Sequence, residues 1–155
     1  MCQGQLNTGR AALAALVIFG SLMVSAAFGE VLFKHSSLKI ETTNGPALLD
    51  VEVADTNPKR EQGLMFRRNL AGNQGMIFLF DEEQEISMWM KNTYIPLDMV
   101  FIGDNWRIVH IARNAEPFST DIIPSVRPAS RVLEIPGGQA QKLGLKIGDA
   151  MSLEK

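Results

Sequence analysis

The chain has 155 residues, 46% of them hydrophobic, with 15 Lys and Arg against 17 Asp and Glu. That length holds one domain once a leader is set aside, and the slight acidic excess with isolated basic doublets (Lys59-Arg60, Arg67-Arg68) excludes the concentrated basic face that nucleic acid demands. The single cysteine, Cys2, precedes the first apolar run, so it is not a lipoprotein-type attachment point, and disulfides and thiolate chemistry drop out if a leader is removed.

Arg10 is followed by an unbroken apolar run from Ala11 to Phe28, closed by the small residues Ser25-Ala26-Ala27 and Gly29. Basic, then apolar, then small is the order of a secretory signal peptide over residues 1–29. The run also reaches the lower edge of what spans a bilayer, about 20 residues, so an uncleaved inner-membrane anchor is the alternative. Either way, residues 30–155 are expected as one extracytoplasmic, periplasmic domain, meeting a membrane only through an uncleaved segment.

Period-two patterning begins with Leu38 and Ile40, and resumes with Leu49, Val51 and Val53 after Asn44-Gly45-Pro46. This predicts an antiparallel hairpin with one wet face, its turn lengthened beyond two residues by Pro46. Thr56 or Asn57 caps a short helix with Pro58 in its first turn, running to about Met65, with Gly63 as kink or end. Gly75 to Phe80 is apolar on both faces and reads as a central strand. Asp81 to Glu85 reads as a solvated acidic loop.

Further strands are expected at Ile86 to Met90, Leu97 to Ile102, Trp106 to Arg113, and Ser130 to Ile135. A Pro-rich loop, 114–129, separates the last two. Gln139 to Gly144 is a second short helix, and the chain closes with a hairpin or edge strand. Short strands at even spacing, with two short helices, predict a mainly β domain: a single antiparallel β-sandwich or squat barrel.

Taken in order, the blocks "GLMFR", "GMIFLF", "MWMKNTYIPLDMVFI", "ARNAEPF", "VLEIPGG" and "GLKIGD" resemble the domain of unknown function 192 family over about Leu38 to Met151. The resemblance implies a compact, mostly β, often exported domain to which no activity is assigned.

The candidate site lies where polar residues interrupt two apolar runs. Trp89 and Lys91 share a strand face, Asn92 and Thr93 turn the chain, and Asp98 opens the returning strand within expected ion-pair range of Lys91. One reading makes this block a well-fastened turn. The other makes Trp89, Lys91, Asn92, Thr93 and Asp98, with Glu116 from the long loop, the lip of a small-ligand pocket. The corresponding function is a binding or accessory domain whose partner is a small molecule or an envelope protein, without catalytic residues, metal or cofactor.

Two alternatives remain open. His110 oriented by Glu116 or Glu134, or the paired carboxylates Asp98 and Glu116, would make a hydrolase or sugar-acting enzyme; Ser119 and Ser125 are conceivable nucleophiles. Met88 and Met90 offer thioether sulfur to Cu(I), although methionines on a strand are common core filling. Glu134 is expected to pair with Arg107, Arg113 or Arg131.

Overall fold

The computed structural model describes residues 31–154; the segment behind the signal-peptide and anchor expectations lies outside the described residues. The strands are β1 (Lys34–Thr42), β2 (Gly45–Ala54), β3 (Gln74–Gln84), β4 (Ser87–Met88), β5 (Leu97–Ile102), β6 (Ile108–Ala115), β7 (Ile123–Pro124), β8 (Ala129–Pro136) and β9 (Ala150–Leu153). The helices are α1 (Asn57–Gln62) and α2 (Gln139–Lys142).

Seven strands form one sheet in the order β6-β5-β8-β3-β2-β1-β9, and β4 pairs only with β7. The sheet is mixed, which corrects the purely antiparallel expectation: β2 and β3 run parallel, Val53 beside Ile77. Parallel neighbours need a crossover, and the segment carrying α1 supplies it. The sheet curls into a half-barrel rather than stacking as a sandwich. Its edges touch at the Arg107–Ala150 bridge, where Met151 N donates to Trp106 O at 2.8 Å.

The first hairpin follows the alternation of its sequence but turns tighter than expected. Thr42 lies opposite Gly45 and Pro46 opposite Glu41, so the loop is Thr43-Asn44 and Pro46 belongs to the strand. The left-handed φ of 102° at Gly45 permits this. The acidic run is also no loop, because β3 carries it to Gln84.

Alternation divides the apolar residues between two faces. Leu38, Ile40, Val51, Val100, Leu133 and Ile135 fill the concave side, closed by Ala140 of α2. Met76, Phe78, Met99, Phe101 and Val132 face outward and are covered by Leu64, Ile86 and Met90. Fully burying such a side chain contributes about 1.5–3 kcal/mol. No described residue is a cysteine, so these two layers, with the sheet's hydrogen bonds, hold the domain together.

Candidate functional site

The outward layer is where a site forms. Helix α1 starts with Pro58, which has no donor to lose, and ends at Gly63, whose amide bonds Lys59 O at 2.9 Å. Gly63 has φ 48°, and a Cβ there would lie 3.2 Å from the Phe78 ring. Only glycine lets the chain lie this flat on Phe78 while turning left-handed. The turn then presents Leu64, Met65 and Phe66.

Residues 86–93 cross the same layer as a strap rather than as the expected strand from Ile86 to Met90. Only Ser87 and Met88 pair, with Pro124 and Ile123. The strap is fastened on both sides. Asn92, itself left-handed at φ 56°, accepts from Phe66 N at 2.8 Å. On the other side Met90 N donates to Ser119 O at 3.0 Å and Ser125 N to Ile86 O at 2.8 Å. Ser125 Oγ, fully buried, accepts from Ile86 N at 3.1 Å and donates to Arg127 O at 2.6 Å. The Pro-rich segment is thus a clamp, and Ser125 is committed to it.

Between α1 and the strap lies a cleft of about 40 Å³, bounded by Gly63, Met65, Phe78, Trp89, Lys91 and Thr93 and reaching Glu134. A second, more apolar lobe of about 270 Å³ shares Arg60, Glu61, Phe78, Met88 and Trp89 with it and adds Phe80. Trp89 is 49% exposed, with the Lys91 ammonium 5.5 Å from its ring centre. Arg60 lies 5.3 Å from the Phe80 ring centre and is tethered to Leu79 O at 2.6 Å and to Asn57.

Glu134 occupies the floor. It is 4% exposed, on the outward face of β8 between Met76 of β3 and Met99 of β5. The expected salt bridge is absent. Arg107 bonds Gly148 O, Arg113 bonds Leu145 O, and Arg131 bonds Gly103 O and Ser130 Oγ. Among the described residues no ion pair or hydrogen bond reaches the Glu134 carboxyl, and no fully enclosed side-chain polar atom is left without a partner. Its outlet is therefore the cleft. Burial pushes this carboxyl up to about 8 from its ordinary 4.5.

The residues expected at the site separate. Trp89, Lys91 and Thr93 line the cleft; Asn92, Asp98 and Glu116 do not. Asn92 fastens the strap, and its side chain contacts Met65 Sδ at 3.8 Å. Asp98 forms no pair with Lys91, because β5 pairs with β6 and β8 rather than returning along the strap. It is fully buried and accepts 2.8 Å bonds from the amides of Asn114 and Ala140, so it anchors α2 to the sheet. Glu116 is exposed.

Strand alternation would put His110 on one face with Ile108, but the two do not share a face. The register slips by one residue at Val109, a bulge, and His110 stacks on Phe101 at 5.7 Å. Among the described residues it has no carboxylate within ion-pair distance. Met90 is fully buried in the outward layer while Met88 is half-buried at the cleft, so the two are not presented together as a soft ligand pair. Glu134 is the residue that sequence reasoning undervalued. Its signal was a lone acid at the parity of Val132, set between the apolar residues Leu133 and Ile135.

A profile of the DUF192 family, described only as "Uncharacterized ACR", matches residues 39–153. No curated protein matches the chain. Two crystal structures are similar in fold and sequence. One, from Sinorhizobium meliloti 1021 and provisionally described as a transcription regulator, is 43% identical; the match covers 81% of this chain and 98% of that one with a TM-score of 0.77. The other, a protein of unknown function from Novosphingobium aromaticivorans, is 39% identical over 76% of this chain and 84% of that one, with a TM-score of 0.74. On the extent of the profile match and these identities, the chain belongs to the DUF192 family.

Proposed function

We propose that this domain binds a small molecule in the cleft between α1 and the 86–93 strap. The observation that carries the reading is Glu134, a buried carboxyl with no partner among the described residues, opening onto a cleft walled by Phe78, Met88 and Trp89. Its oxygens are not fully enclosed, so a ligand in the cleft can hydrogen-bond the carboxyl, a bond worth about 0.5–1.5 kcal/mol net. A mostly apolar hollow with a few convergent polar groups is the usual form of a small-ligand site. Its walls are held by backbone hydrogen bonds on both sides of the strap, so the site is formed before a ligand arrives.

We place the domain outside the cytoplasm, as a binding or accessory module of the envelope, on the signal-like order of residues 1–29. The regulator description of the Sinorhizobium relative is not extended to this chain, whose formal net charge of -2 gives nucleic acid no evident footprint. The test is a thermal-shift screen of the full chain beside Trp89→Ala and Glu134→Leu. Ligands that raise the melting temperature of the parent and of neither variant support the cleft. Ligands that stabilise all three equally place binding elsewhere.

A further inference from the structure

We propose that the ligand of this cleft is a small organic monoanion with an apolar body: one carboxylate oxygen takes a hydrogen bond from the protonated Glu134 carboxyl, and Lys91 with Arg60 supplies the positive field. This rests on the small-molecule reading above and specifies its chemistry.

Three observations lead there. The first is the floor. Met76 and Met99 flank Glu134 across the ladders and Phe78 walls the same cleft, so its surroundings are apolar. No cation of the described residues pairs with it. A carboxyl so placed keeps its proton at neutral pH and offers an O–H donor, which burial pushing it to about 8 supports.

The second is the charge around it. The titratable groups facing the cleft are Arg60 and Glu61 from α1, Lys91 from the strap and Glu134 from β8; β3 and β5 bring none. With Glu134 protonated, Arg60 and Lys91 outnumber Glu61. Among the described residues Lys91 has no carboxylate within ion-pair distance, so its charge is free for a ligand.

The third is shape. The lobe at Glu134, about 40 Å³, accommodates a head group of a few heavy atoms, since one water needs roughly 10–15 Å³ by this measure. The adjoining lobe of about 270 Å³, bounded by Phe78, Phe80, Met88 and Trp89, suits a ring or short alkyl body. A cationic ligand would instead be repelled by Lys91 and Arg60 and would require Glu134 to ionise against its desolvation.

Three probes of one shape and different charge decide it: benzoate, benzamide and benzylammonium, titrated into the full chain and followed by the Trp89 indole N–H and Met88 methyl resonances. At pH 6.5 benzoate is expected to shift both signals and to bind at least ten-fold tighter than the other two. Its affinity should fall at least ten-fold at pH 9.5, where Glu134 has lost its proton, persist within about three-fold in Glu134→Gln, which keeps a donor, and disappear in Glu134→Leu. Tighter binding of benzylammonium or benzamide overturns the anion and leaves the small-molecule reading standing. No shift at Trp89 or Met88 with any probe overturns both.

Discussion

Glu134 and Met99 are register partners across the β5–β8 ladder, with Met76 on the other flank, so a carboxyl stands where its neighbours in the sheet are thioethers. This placement makes stability depend on pH in a definite direction. The folded carboxyl holds its proton to about 8, whereas the unfolded chain releases it near the ordinary 4.5. Between those values the folded state binds more protons, so this group's contribution is intact below 4.5 and is lost as pH rises through 8.

Each unit of that window is worth about 1.4 kcal/mol, so the decline amounts to a few kcal/mol. Urea midpoints measured from pH 4 to 9 should fall for the parent. They should fall distinctly less for Glu134→Gln, and parallel slopes would refute the assignment.

Asp98 gives the opposite kind of prediction, structural rather than functional. Its carboxylate holds the amides of Asn114 and Ala140 at 2.8 Å in a fully buried position. Asp98→Ala orphans both donors, and a loss of about 2–5 kcal/mol is expected in chemical denaturation. Asp98→Asn, which keeps an accepting oxygen, should lie between.

Trp89 and Lys91 should separate binding from folding. Trp89 is half exposed and Lys91 exposed without an ion-pair partner among the described residues. Replacing either with Ala should change stability by less than about 1 kcal/mol. The same changes should abolish or weaken the ligand-induced shift, as read by parallel melting curves with and without the ligand. Variants that melt much earlier yet respond normally to ligand would assign this pair to scaffolding.

Gly63→Ala tests how the cleft wall is made. A Cβ there meets Phe78 at 3.2 Å in a left-handed backbone, so a loss of about 1–2 kcal/mol is expected. Thermal unfolding measures the cost, and a shift of the Phe78 ring resonances shows whether the wall has moved.

What the sequence made legible follows local pattern. The run from Leu97 to Ile102, apolar but for Asp98, is β5 with those bounds, and Pro58 marked the start of α1, which Gly63, expected as kink or end, closes short of Met65. The family blocks matched the profile. What stayed hidden depends on long-range partners. The strap looked like a strand because its side chains alternate, but most of its backbone bonds go to residues 118–125 and 66, far away in sequence.

The same holds for the other corrections. The parallel β2–β3 pair could not be read from a crossover whose helix is only six residues long. A bulge at Val109 leaves no mark in the sequence, yet it moves His110 onto Phe101. Parity placed Glu134 opposite Leu133 and Ile135, but nothing local told that Arg107, Arg113 and Arg131 would each bond elsewhere.

The most direct measurement is a carbon-detected NMR titration of the Glu134 side-chain carboxyl in the full chain, with Glu134→Gln assigning the signal. An unpartnered acid on the floor of a mostly apolar cleft should titrate with a midpoint near 8. A midpoint in the ordinary range around 4.5 would show a carboxyl already well solvated or paired, and the cleft would lose the feature that makes it a site.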